Sequence, residues 1–233
     1  MIYIEHVELD LDMVLSSLKE IKGIIHVGAA DSKELPVYRK YTDNIIMIDA
    51  LEENKKYNPD LYVELIFNHA LNATFNVMND PLCSSILSRS RRNTNGYEQS
   101  LIVEESRSLT PITLDEFFSK YRLSPSDYNF LNLDVEGAEG QVLAGMKRSL
   151  VYFDGILAEC SDVPRYTNGA SYEQLQGYLL SKGLAEAIRG GIYDHVGWHE
   201  SFFVKENNYT PPSEEAVLAE NQRSHHIEKK PLW

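Results

Sequence analysis

One unit recurs along this chain: a short apolar run, closed by a turn or an acidic residue, followed by a helical pattern. The runs are Gly-Ile-Ile-His-Val-Gly (23–28), Asn-Ile-Ile-Met-Ile-Asp (44–49), Tyr-Asn-Phe-Leu-Asn-Leu-Asp (128–134) and Gly-Ile-Leu-Ala-Glu (155–159). Runs this short, with apolar residues at odd and even positions alike, read as strands covered on both faces. Between and after them, residues 31–41, 114–121, 138–150 and 172–179 carry apolar side chains at helical spacing, with Thr113 and Glu116 matching a capping box. Strands alternating with helices predict an α/β fold, a doubly wound and mostly parallel sheet.

The flanking segments fit the same plan. Leu11, Val14, Leu15, Leu18 and Ile21 predict an opening amphipathic helix, and residues 61–68 a third strand. Residues 74–78 and 101–105 read as antiparallel strands, and residues 184–188 and 201–204 as two last strands. From Asn207 the chain turns polar, so residues 1–206 form the expected domain and 207–233 a surface extension. Cys83 and Cys160 lie far apart, outside any CxxC motif, as suits a reducing cytoplasm. No apolar run reaches the length of a membrane span. A net charge of −13 argues against binding to nucleic acid or an anionic membrane through charge.

In such a sheet, ligands sit at the carboxyl ends of the strands. There the sequence places Gly28-Ala29-Ala30-Asp31-Ser32, where a glycine allows close backbone approach and a helix N-terminus would offer N–H groups to an anion. Asp49 ends the next strand, about 20 residues on, where an acid can grip ribose hydroxyls. The same residues also fit an ordinary turn and its cap. Together they point to an adenosine-containing cofactor. The full GxGxxG is missing, which favours a compact cofactor such as S-adenosylmethionine over NAD. Asp134, Glu136 and Glu139 crowd three acids into six residues, more than a helix cap requires.

Residues 131–146, LNLDVEGAEGQVLAGM, resemble the FkbM-type S-adenosylmethionine-dependent methyltransferases. So do IIHVGAAD, IIMIDALEEN, the Thr-Leu-Asp of ITLDEFF, the Ser-Ser-Ile-Leu of 84–87, ILAEC and ESFFVK, in that family's order over roughly residues 20–205. The resemblance implies a Rossmann-like seven-strand sheet of the class I methyltransferase type and methyl transfer mainly to hydroxyl oxygens of sugars or secondary metabolites. It implies that Gly28 and its neighbours His26, Ala29 and Ala30 line the methionine part of the cofactor. Asp49, with Ala50 beside it, would bind the ribose; His69 and Ala70 would border the adenine; Ser84, Ser85 and Asp134 would lie beside the cofactor. Two departures stand out: Ser32 replaces a common glycine, and Asp49 stands where many members have Glu.

An alcohol is a poor nucleophile at neutral pH, so a base or a metal must assist. Asp134, Glu136, His195 and His199 are the candidate bases. Asp134 and Glu159, with Asp162, could instead hold Mg²⁺, but the sequence has no dense oxygen-ligand cluster, so a metal-free base is favoured. Arg89, Arg91 and Arg92 could grip an anionic group on a small-molecule or glycan acceptor, although a solvated, mobile loop is the favoured explanation. Two other readings stay open: an NAD-linked oxidoreductase, and a non-catalytic binding module on the same scaffold.

Overall fold

A computed structural model describes residues 1–5, 8–68, 72–90, 100–192 and 197–227. Its main sheet has eight strands in the order β1-β9-β10-β8-β7-β2-β3-β4. These are β1 (Ile2–Tyr3), β2 (Ile24–Val27), β3 (Ile45–Asp49), β4 (Tyr62–Val63), β7 (Phe130–Leu133), β8 (Gly155–Ser161), β9 (Ala185–Arg189) and β10 (Trp198–Val204). β10 runs antiparallel to β8 and β9, and all other pairs are parallel. Seven of these strands are the expected Rossmann-like set. The eighth, β1, is two residues long and pairs with β9 at the edge, too short for any periodicity to reveal.

Two cores follow from strand alternation. Ile25, Val27, Leu131, Leu133, Ile156 and Phe203 point to one face. There they meet α3 (Leu114–Tyr121), α4 (Glu139–Gly145) and α5 (Tyr172–Ser181). Ile24, Phe130, Leu157 and Phe202 point to the other, against α1 (Leu11–Ser16) and Tyr38 of α2 (Leu35–Tyr38). Outside the sheet, β5 (Ala73–Met78) and β6 (Val103–Leu109) form an antiparallel pair, and α6 spans Glu214–Ile227.

Several elements are shorter than the sequence predicts, among them α2, which keeps Leu35–Tyr38 of the expected 31–41. α1 stops at Ser16, where the Ser16 and Ser17 hydroxyls bond back to the Met13 and Val14 carbonyls, and Leu18 bridges to Tyr209 instead. The third strand shrinks to β4, because Ile66 leaves the sheet to pair with Ile112. α4 ends at Gly145, whose close approach to the Phe67 carbonyl leaves no room for a side chain.

Asp115 of the Thr-Leu-Asp motif has a structural task. Its carboxylate accepts the backbone N–H groups of Arg148 and Ser149 at 2.8 and 2.9 Å, tying α3 to the chain beyond α4. Burial alone would raise its pKa; the bonds from Ser149 and Arg148 outweigh that and hold it below the ordinary value.

Candidate active site

Register sets the site. Val27 lies beside Ile48 and Leu133, so Gly28, Asp49 and Asp134 leave the sheet side by side. Gly28 has φ +86°, and a Cβ there would sit 1.7 Å from the Asp134 carbonyl oxygen, so only glycine lets these two strand ends converge. Ala30 (φ 37°) and Ser32 (φ 56°) hold left-handed conformations without being glycine, at about 1–2 kcal/mol each. The backbone thus keeps a glycine-type turn where the sequence lacks the residues.

The expected row of free N–H groups is absent from this turn. Gly28 and Ala29 donate to the Ile48 carbonyl at 2.9 and 3.0 Å, and Ser32 donates to Ala29 at 2.6 Å. Ala30 donates to Asp49 Oδ2 at 3.0 Å, and α2 begins only at Leu35. Asp49 also accepts, on Oδ1, from Leu51 N and Asn54 Nδ2. Its Oδ2 carries one bond and has a lone pair to spare.

A cavity of about 370 Å³ opens above these turns. His26, Gly28, Ala29, Ala30, Asp49, Ala50, Ser84, Asp134, Glu136 and Glu159, all singled out in the sequence, line it. Lys33, Asn132, Trp198 and Glu200 line it too and were not foreseen. Asn132 and Glu200 read in the sequence as ordinary strand residues. The alternation that places Phe130 and Phe202 on one face also carries Asn132 and Glu200 to this end of that face, which was the available signal.

Asp134 faces the cavity, and no described residue donates a hydrogen bond to its carboxylate. Asp134 is exposed at the open cavity; desolvation by the surrounding walls, then the charges of Glu136, Glu200, Glu139 and Glu34, raise its pKa. Glu136, at φ 52°, receives the Tyr166 hydroxyl and lies 3.7 Å from Arg89, while Glu159 lies 3.4 Å from Arg165. Oxygens of Asp134, Glu136 and Glu159 fall within 4.8 Å of one another. This corrects one expectation: folding assembles the oxygen cluster that the sequence does not show. Two of the three carboxylates are already balanced by guanidinium groups.

Several expected site residues are placed elsewhere. Ser85 is buried away from the cavity, where its hydroxyl donates to the Glu136 carbonyl at 2.8 Å and accepts from Leu87 N, pinning the turn. His199 lies on the opposite face of β10, its Nδ1 2.7 Å from the Gly197 carbonyl and its ring against Tyr172, so it does not reach the cavity. Asp162 pairs with Arg189 instead of joining the carboxylates. Arg89 is not on a solvated loop: it is mostly buried, bonded to the Tyr166 hydroxyl at 3.0 Å. His69, Ala70, Arg91, Arg92 and His195 lie outside the described residues.

Glu200 gives the cavity a pH signature. Its Oε2 accepts Leu9 N at 2.6 Å, while burial pushes its pKa from the ordinary 4.5 to about 8. Between those values the folded protein keeps a proton that the unfolded chain has released, so this group makes stability fall as pH rises through that window. Thermal melts from about pH 5 to about pH 9 should therefore show a shallower decline for Glu200→Gln than for the unaltered protein.

A glycine turn, an acid at the next strand end and carboxylates over the third stand at the carboxyl ends of the strands of a Rossmann-like α/β sheet, where such folds place their ligands. Residues 26–184, more than half of the chain, match the methyltransferase FkbM domain, and the chain belongs to that family. Among curated proteins none matches. The solved structure of M. capricolum TrmK in complex with S-adenosyl-homocysteine is similar at 11% identity and a TM-score of 0.41, covering 91% of this chain and 75% of that one.

Proposed function

We propose that this protein is an S-adenosylmethionine-dependent O-methyltransferase acting on a hydroxyl of a sugar, glycan or secondary metabolite. The observation that carries this reading is Asp134, a cavity-facing carboxylate without a hydrogen-bond donor among the described residues, side by side with the Gly28 turn and Asp49. The cavity suits a nucleoside cofactor: its volume falls in the range of small-molecule sites, and Gly28 leaves open the space that a Cβ would fill.

When bound, S-adenosylmethionine supplies an electrophilic methyl group on a sulfonium. Asp49 Oδ2 accepts one ribose hydroxyl. Asp134, the clustered acid that no guanidinium balances among the described residues, faces the positive charge of the sulfonium. Asn132, Glu159 and Glu200 give a polyhydroxylated acceptor hydrogen-bonding groups along one wall. With its pKa raised, Asp134 accepts the acceptor's hydroxyl proton as the oxygen attacks in line. Holding the two partners aligned contributes up to about 7–11 kcal/mol.

Calorimetry with S-adenosyl-homocysteine, followed by acceptor screening with a labelled methyl donor, tests the reading. Binding of the nucleoside and label in a carbohydrate or alcohol product are expected. Binding of NAD with no binding of S-adenosyl-homocysteine would overturn it.

A further inference from the structure

Hydrogen-bond acceptors crowd one half of the cavity. Asn132 is only 7% exposed, and its Nδ2 is spent on the Tyr38 hydroxyl at 2.8 Å. Its Oδ1 receives no bond from a described residue and is not sealed inside the protein, so in this lining residue it faces the open space. An acceptor buried without a donor is costly, and it points to a ligand atom that donates. Glu200 lies directly opposite Glu159 in the β8–β10 register, and both line the cavity. Like charges so placed repel. Arg165, 3.4 Å away, balances Glu159, whereas Glu200 accepts the neutral Leu9 N and forms no ion pair among the described residues. Nine carboxyl side chains line the cavity against one described cation, Lys33, which already faces Glu34 at 3.9 Å.

The cofactor accounts for only part of this charge. With its ribose at Asp49 of β3, its sulfonium faces Asp134 beyond β7. Glu200 stands two strands farther along the order β3-β2-β7-β8-β10, roughly 10 Å at the usual strand spacing. That leaves a negative, donor-seeking wall for the other reactant. We propose that the methyl acceptor carries a protonated amine, as in an amino sugar or amino alcohol, held between the Glu200 carboxylate and Asn132 Oδ1 while its hydroxyl meets Asp134. This rests on the S-adenosylmethionine reading of the cavity. Burial pushes the Glu200 pKa up to about 8; Leu9 N and Lys33 oppose the rise, Glu8 and Glu34 add to it, and Asp134 and Glu159 also face the group. Glu200 therefore keeps its proton at neutral pH, and an arriving ammonium should expel it.

Calorimetry on the protein saturated with S-adenosyl-homocysteine, titrated with amino sugars and amino alcohols beside their N-acetyl derivatives, tests it. At neutral pH the free amines should bind roughly ten- to a hundredfold tighter than the N-acetyl forms. Glu200→Gln, whose amide oxygen can still accept Leu9 N, should remove that preference. In the unaltered protein, amino alcohols that enter fully protonated should release a proton on binding, read as a heat that varies with the ionisation heat of the buffer. This second readout needs no variant to fold. With labelled S-adenosylmethionine, the label should appear on an oxygen of an amine-bearing product. The proposal is overturned if the N-acetyl forms bind as well as the amines, if neither binds, if the preference survives in Glu200→Gln, or if binding releases no proton. Label on nitrogen also overturns it, since a nitrogen that attacks the methyl group is not the ammonium held at Glu200. Any of these results with S-adenosyl-homocysteine bound leaves the cofactor reading standing. Absence of S-adenosyl-homocysteine binding overturns that reading itself, and the proposal with it.

Discussion

Replacing Asp134 by Asn should leave a folded protein whose methyl transfer is slowed by roughly 10²–10⁴-fold, the range that a positioned base supplies. The amide keeps the shape of the carboxylate and cannot take the proton. Asp134 is the group to remove because its competitors are engaged: Glu136 receives Tyr166 and faces Arg89, and Glu159 faces Arg165. Glu159→Gln should accordingly cost much less. In the unaltered protein, single-turnover rates at saturating cofactor should rise with pH through an inflection above the ordinary carboxylate range, because Asp134 must be ionised to act and its pKa is raised. The Asn variant should lack that inflection. Turnover should also survive chelation, since Arg89 and Arg165 already balance two of the three clustered acids. Loss of turnover on chelation, restored by Mg²⁺, would move these carboxylates from base to metal ligand.

Gly28→Ala should be the most damaging methyl added at any of the described glycines. The added carbon would meet the Asp134 carbonyl oxygen at 1.7 Å, on a backbone with φ +86°. Overpacking costs about 1–3 kcal/mol and a left-handed non-glycine residue about 1–2 more, so destabilisation of about 2–5 kcal/mol is expected in denaturant titrations. Gly183→Ala is the control: φ is +82° there, with nothing within 4 Å of the added carbon, so only the conformational part should appear. Equal losses at the two sites would show that the contact between strand ends carries no weight.

The sheet was legible because its strands are continuous apolar runs ending in turn residues or acids; Ile24–Val27, Ile45–Asp49 and Phe130–Leu133 all fall inside the predicted segments. The first half of the site was legible for the same reason, since Gly28, Asp49 and Asp134 are strand-end residues. What escaped depends on neighbours distant in sequence. Trp198 and Glu200 reach the cavity because β10 pairs with β8, and Arg89 is held by Tyr166, 77 positions away. His199 and Ser85 failed as site residues because strand parity and a turn-pinning bond turn them elsewhere. Ala30 and Ser32 hide a glycine-like turn behind side chains that rarely adopt one.

The Leu9–Glu200 bond at the cavity wall has a consequence for how relatives can be compared. Glu8, Leu9 and Leu11 wall the pocket from before residue 26, with Leu9 fastened to Glu200, and Trp198 and Glu200 close it from beyond residue 184. The segment that matches the family domain thus supplies part of the lining, while the rest comes from chain before and beyond it. Two members could agree throughout that segment and still admit differently shaped molecules, and grafting selectivity from one to another would mean exchanging the ends of the chain along with its middle.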